Sequence, residues 1–320
     1  MATIPKMKAT YGSFFERLRK SSKNLSVQSL YVYLRNISRL RGLLHESEDI
    51  PNSGKWLLEK KLLAKFDGLD LNKRRLLSVA AVKALKVYGV TSEEWNKRLH
   101  RASDAYDKLR NKRHVTSKES GKWPKNGFQS LRNAAKDEKL LIKKILKKPE
   151  KTFKDLLKIQ SWVVLFLYSF HPVRLDFADV NLGKPVKGQN ENYLFKFPRK
   201  GWGLTLRKYK TAKFRGETKI KIARAPSRAL SMFVPLVKRL TTHGKFLTNS
   251  AGKPLSRNGL SKLLTKLTKK HLGVGFSASL IRVLFSTEHV KTIEDAAKIS
   301  HEMMHNLEQT LAYTRKNAKR

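Results

Sequence analysis

Arg174 emerges from the segment HPVRLD (171–176), Arg282 from SLIR (279–282), and Tyr313 from LAYTRK (311–316). Guanidinium groups are planar forks that hold two phosphate oxygens at once, a geometry an ammonium cannot copy. A phenol beside them is a nucleophile able to hold phosphorus as an ester, although an ordinary phenol, with a pKa of about 10, needs activation near neutrality. Lys210 in YKTAKFRGE and His305 in MMHN add groups that give or take a proton. Together these types meet the needs of attack on a phosphodiester: a nucleophile, charge on the non-bridging oxygens and a proton for the leaving oxygen. Each also has a plainer reading. Arg174 would pair with Asp176 or Asp179, Tyr313 would join Leu307 and Leu311 on an apolar helix face, and Lys210 would be one of a surface run with Lys208 and Lys213. A competing pattern, HEMMH (301–305), has the two histidines and glutamate of a zinc hydrolase helix. Only Glu308 follows it as a further ligand, and Asn306 reads as a helix cap that would end the helix there. Zinc chemistry is therefore the remote alternative, and neither a metal nor a cofactor is expected.

The chain has 320 residues, with 69 Lys and Arg against 25 Asp and Glu and a formal charge of +44. Such an excess calls for a polyanion, which makes double-stranded DNA the leading partner and an anionic membrane surface the second. At 40% apolar and 9% aromatic the chain still has material for a core, which argues against a disordered basic tail protein. The longest uninterrupted apolar stretch, residues 162–168, is far short of the ~20 residues a bilayer span needs. With no cysteine there are no disulfides, thiolate zinc sites or cysteine nucleophiles. Residues 1–24 are basic but have no apolar signal core, so an intracellular location, wherever the target DNA resides, is expected and secretion is not.

The elements that must position these side chains are mostly helices. Ser26 starts an amphipathic helix through Leu30, Leu34, Ile37 and Leu40; residues 75–88 read as a buried helix; and Thr91 with Glu94 reads as the cap of another carrying Trp95, Leu99, Tyr106 and Leu109. Between 111 and 128 periodicity is lost and Gly, Pro, Ser and Lys gather. The resulting division is a basic tail (1–24), a helical DNA-binding domain (25–112), a linker (113–128) and a catalytic domain (129–320). In the last, helices are predicted over 131–146, from a Thr152/Asp155 cap through 168, and over 230–240, 260–267, 292–303 and 307–316. Strands at 193–197, 204–209 and 218–222 predict a small antiparallel sheet, giving a mainly α fold with one β-sheet.

The order Arg, hairpin Lys, (His or similar)-x-x-Arg, His, Tyr resembles the catalytic domain of the tyrosine recombinases, which share their chemistry with type IB topoisomerases. The resemblance covers roughly residues 129–316, and the basic helical first third is similar to that family's core-binding domain. It implies an α+β catalytic domain, duplex DNA clamped between the two domains, and cleavage through a covalent 3′-phosphotyrosyl intermediate. By the same resemblance Tyr313 is the nucleophile, Arg174 and Arg282 hold the phosphate, His305 bonds the phosphate or assists proton transfer, and Lys210, or alternatively Lys213, is the general acid. It further implies a homodimer or homotetramer on DNA. The PVRLD form of the first motif looks most like recombinases of eukaryotic mobile elements and large DNA viruses.

Three departures qualify the match. Ser279 stands where the family most often has histidine, either as a catalytic hydroxyl or only as the cap of the helix bearing Arg282. The acid after Arg174 is displaced, which leaves the roles of Asp176 and Asp179 open. Few residues follow Tyr313, whereas relatives often exchange a longer C-terminal helix. The reading is a site-specific recombinase or integrase, with an inactive DNA-binding relative and a topoisomerase as alternatives. Neutralising Z phosphates lowers log K against log salt with a slope near −0.9Z, and a Z of roughly 6 or more is expected for duplex DNA. A salt titration of duplex binding measures that slope, and a nearly flat one rejects the clamp.

Overall fold

Short polar residues stand at most helix starts, where a first turn leaves backbone donors open. The computed structural model describes residues 4–44, 50–198, 201–304 and 306–316. The chain divides into two units, Met1–Lys112 and Arg113–Arg320. The first holds α1 (Ile4–Lys20), α2 (Val27–Gly42), α3 (Lys60–Asp67), α4 (Leu71–Tyr88) and α5 (Glu93–Asn111). Ser26, Asp70 and Ser92 accept hydrogen bonds from the N–H groups of Ser29, Lys73 and Trp95. Ser92, not Thr91, caps α5, because it is the extended residue directly before the first turn. The unit closes around Leu34, Ile37, Ala81, Ala84 and Trp95, all buried. Trp95 lies edge-on to Phe66, and its indole N–H donates to the Leu57 carbonyl at 2.7 Å.

Residues 1–24, expected as a basic tail, instead contain α1. Met7, Phe14, Phe15 and Leu18 bury in the core of this unit, with Arg17, Arg19 and Lys20 in the last turn. The helix bends at Gly12, where φ is 49°, a value that favours glycine. The bend shifts the helical register between Met7 and Phe14, so no continuous apolar stripe is visible in the sequence.

The second unit holds α6 (Ser117–Ser120), α7 (Gln129–Leu141), α8 (Lys143–Lys147), α9 (Phe153–Tyr168), β1 (Val180–Leu182), β2 (Asn192–Phe197), β3 (Gly201–Leu206), α10 (Ala212–Arg215), β4 (Thr218–Lys221), α11 (Arg224–Leu240), α12 (Arg257–Leu272), α13 (Ala278–His289), α14 (Ile293–Glu302) and α15 (Leu307–Leu311). Residues 113–128, read as a linker, carry α6, and Trp123 and Phe128 pack into the core of this unit. The helix predicted over 131–146 is two, α7 and α8, parted at Ile142. At the centre is α9, closed by the Thr152/Asp155 capping box and buried along Leu156, Ile159, Val163, Val164 and Leu167. Gln160, buried in it, exchanges two 2.9 Å hydrogen bonds with the backbone of Thr248, which satisfies both ends of its amide. α7 joins α12 through buried Glu138, which accepts from Lys270 at 2.7 Å.

The sheet runs β1-β2-β3-β4, with β1 parallel to β2 and the other pairs antiparallel. It is mixed and not purely antiparallel, because β1 joins it in parallel; with three residues that strand is too short to show alternation in the sequence. No helix among the described residues is long and apolar enough to cross a membrane.

His171, just past the end of α9, is tied to the start of α11, its Nε2 accepting from the Ala223 N–H at 3.0 Å. Accepting there requires the neutral ring, and burial lowers the imidazole pKa to about 4. The unfolded side chain titrates near 6.5, so it takes up a proton that the folded chain refuses. The stabilisation is full above pH 6.5 and is lost as pH falls towards 4. In denaturant unfolding between pH 7 and 4, His171→Gln should therefore lose stability less steeply than the parent, by up to about 1.4 kcal/mol per pH unit. Parallel slopes for the two proteins rule out a neutral buried His171.

Candidate active site

The segment after α9 turns sharply before Arg174, and a buried phenol holds it there: Tyr168 Oη donates to the Arg174 carbonyl at 2.6 Å. Burial first, and then the charge of Asp176, raise the Tyr168 pKa well above the ordinary phenol value, so it stays a donor. Arg174 itself is half-buried. Burial, followed by the charge of Arg282, pushes its pKa down, while Asp176 and Tyr313 pull the other way. Its Nη1 is buried without a hydrogen-bond partner among the described residues. A cation in that position gains from any anion that arrives.

Arg282 lies on α13, whose start is capped by Ser277 accepting from Leu280 N at 3.1 Å. The helix is buried over Ile281, Val283, Leu284 and Phe285, and Arg282 is only 3% exposed. Arg282 Nη2 donates to Tyr313 Oη at 3.0 Å, and the guanidinium lies 4.8 Å from the tyrosine ring centre. Arginine, phenol and Arg174 thus form one electrostatic cluster.

Ser279 is not the cap. Ser277 fills that role, and Ser279 sits exposed in the first turn, on a cavity of about 270 Å³ shared with Tyr313, Lys118 and Lys122. Its hydroxyl is therefore not spent on the helix start.

Tyr313 was expected on a helix running to 316, but α15 ends at Leu311 and the tyrosine stands in the turn beyond it. The following backbone is captured from outside. Arg315 N donates to Thr287 Oγ1 at 3.1 Å and Lys316 N to the Arg113 carbonyl at 3.0 Å. Arg315 also forks onto Glu119 with bonds of 2.9 and 2.6 Å. Those bonds replace the ones a longer helix would have made.

Lys210 and Lys213 are both exposed on the β3–β4 connection. Among the described residues no hydrogen bond or ion pair joins either lysine to Arg174, Arg282 or Tyr313. The connection itself is anchored to α14 and the turn after it: Thr211 Oγ1 donates to the Met304 carbonyl at 3.2 Å, and Arg215 Nη1 to Ser300 O at 3.4 Å. His305 lies outside the described residues.

The zinc alternative loses its geometry. α14 stops at Glu302, Met303 is its cap and Met304 has a φ of 55°, so the helix that carries His301 ends before the motif does.

One member of the cluster was missed from sequence. Arg257, in the first turn of α12, forms an ion pair with Asp176, which has no exposed surface. Burial raises the Asp176 pKa, opposed first by Arg257 and then by Arg174. The available signal was the acid itself: a buried carboxylate beside Arg174 needs a cation, and a distant basic residue is as able to supply it as Arg174. Asp179 has a different surrounding, with Lys245 at 3.4 Å and Lys208 at 3.7 Å.

No protein-family model matches the sequence, and no curated protein sequence matches it. The fold does recur among solved structures. A XerH site-specific recombinase bound to difH substrate in a pre-cleavage complex is similar over 95% of this chain and 82% of that one, with a TM-score of 0.54 and 12% identity. A XerH post-cleavage complex on palindromic difH is similar over 93% and 79%, with a TM-score of 0.50 and 12% identity. At that identity the likeness is one of architecture, and the architecture of this chain, a helical unit followed by a mainly helical unit with one small sheet, is that of the tyrosine recombinases.

Proposed function

We propose that the chain is a site-specific DNA recombinase that cuts and rejoins duplex DNA through a 3′-phosphotyrosyl ester on Tyr313. The observation that carries this reading is the 3.0 Å contact between Arg282 Nη2 and Tyr313 Oη, with half-buried Arg174 in the same electrostatic cluster. A phosphate placed there meets two guanidinium forks and a phenol oxygen together. The likeness to XerH in complex with its DNA substrate supports duplex DNA as the source of that phosphate.

In the first step Tyr313 Oη gives up its proton to His305, the group the resemblance implies for proton transfer, and attacks phosphorus; the Oη–P bond forms and the bond from phosphorus to the 5′ oxygen breaks. Arg174 and Arg282 balance the charge that gathers on the non-bridging oxygens. A proton passes to the leaving 5′ oxygen from Lys210 or Lys213 on the β3–β4 connection. His305 and the Ser279 hydroxyl supply further hydrogen bonds to the phosphate. In the second step a 5′ hydroxyl attacks the phosphotyrosyl ester and frees the phenol. The ester keeps the energy of the phosphodiester, so rejoining needs no cofactor. Each site cuts one strand, so one duplex calls for two protomers and exchange between two duplexes for four, a dimer or a tetramer on DNA.

Tyr313→Phe removes the nucleophile while its ring still packs. Duplex affinity should stay within about threefold, a change too small to mark a lost phosphate contact, and covalent adduct on a nicked suicide substrate should vanish. Arg282→Ala should slow adduct formation by about 10²- to 10³-fold without abolishing it, the scale of losing one preorganised donor to a developing anion. Adduct at the parental rate from Tyr313→Phe means that another residue attacks. Duplex binding with no adduct from the parent points to a DNA-binding relative, and relaxation of plasmid lacking any cognate site points to a topoisomerase.

A further inference from the structure

Phe214 is 86% exposed, the most exposed of the large apolar side chains among the described residues. It sits in α10, the single helical turn on the β3–β4 connection, between Lys213 and Arg215. Exposed Lys208, Lys210, Lys219 and Lys221 surround it in sequence. The one acid of the connection, Glu217, is engaged by Arg207 at 2.5 Å and Lys219 at 3.1 Å. An exposed aromatic ring on a connection so rich in cations calls for a partner that offers an apolar surface and negative charge together.

The turn is also held at fixed points. Tyr209 Oη, buried beneath it, donates to Gly216 O at 2.9 Å and lies 2.9 Å from Thr218 Oγ1. Arg207 Nη1 donates to Gln189 O at 2.8 Å, and Thr211 and Arg215 bond to the carbonyls of Met304 and Ser300. Phe214 is thus presented by a braced platform in the unit that also carries Arg174, Arg282 and Tyr313.

We infer that Phe214 is an aromatic wedge that enters a base step of duplex DNA while the flanking lysines and Arg215 hold the phosphates on either side. Base faces provide the apolar surface and the phosphates the negative charge, and apolar side chains inserted between base pairs unstack and kink a duplex. A second copy of this chain cannot itself supply that negative charge, since each copy has a formal charge of +44, whereas DNA can. The inference rests on the DNA-cleaving reading above and adds to it a residue with no part in the bond exchange.

The test uses the full chain and a mixed-sequence duplex of about 30 base pairs with 2-aminopurine in TA steps, which unstack most readily. Parental protein should raise the 2-aminopurine fluorescence on binding. Phe214→Ala should give no rise and bind about tenfold more weakly, within the range for losing one stacking contact. Phe214→Leu, which keeps an apolar wedge, should recover part of both. Circular dichroism should not distinguish the variants, since the ring belongs to no core. Equal affinity and equal fluorescence for Phe214→Ala and the parent, with covalent adduct still forming, overturns the wedge and leaves the recombinase reading in place. Absence of both duplex binding and adduct in the parent removes that reading and the wedge with it. Loss of binding to phosphatidylserine vesicles in Phe214→Ala, with duplex binding unchanged, overturns the wedge in favour of a membrane contact.

Discussion

Arg174 and Arg282 are like charges gathered where water is partly excluded, and much of the second unit follows from having to hold them there. Their repulsion appears in the lowered pKa of Arg174, for which Arg282 is the largest cause after burial. Asp176 offsets part of it from a site with no exposed surface, and that carboxylate is itself held by Arg257. Two elements far apart in the chain, the turn after α9 and the start of α12, are joined by this arrangement. Net positive charge remains in the cluster, and a phosphate diester is an anion of suitable shape and sign to relieve it. The strain of gathering the cations is therefore part of how the site would favour its ligand, in keeping with the general finding that perturbed groups cluster where chemistry is done.

Tyr313 is positioned by a different device. α15 is short, and the chain leaves it through Tyr313 into bonds from Thr287, Arg113 and Glu119. Glu119 and Arg315 are 17% and 11% exposed, so their bidentate pair is shielded from solvent and from salt. Residues 113–119, at the start of the second unit, thereby hold its last described turn. This gives the segment read as a linker a structural role that composition cannot express, since Gly, Pro and Lys are as common in a packed loop as in a tether. It also gives Tyr313 Oη a place beside Arg282 that does not depend on helix length.

The outlying candidates Ser279, Lys210 and Lys213 show the opposite arrangement. Ser279 opens onto a cavity, and Lys210 and Lys213 stand in solvent on a connection whose base is braced by Tyr209. Long basic side chains on a fixed platform keep their reach, whereas a buried lysine would pay a desolvation cost before meeting a phosphate.

Local signals made much of this legible in advance. The caps at Ser26, Thr152 and Asn306 are read from residue type and spacing because the hydrogen bonds that define them close within three residues. The strands β2 and β4 and the buried run of α9 follow from the same short-range patterns, and the candidate residues Arg174, Arg282 and Tyr313 were picked out by order along the chain. What the sequence left open depends on contacts across long separations. The parallel pairing of β1 with β2, the packing of α1 beyond its bend at Gly12, the end of α15 before Tyr313 and the Asp176–Arg257 pair all arise between segments brought together only by the core. Residue types constrain such pairings weakly, because several lysines and arginines in a chain of this charge are equally able to meet a given carboxylate. Which one does so is decided by where burial leaves room for it.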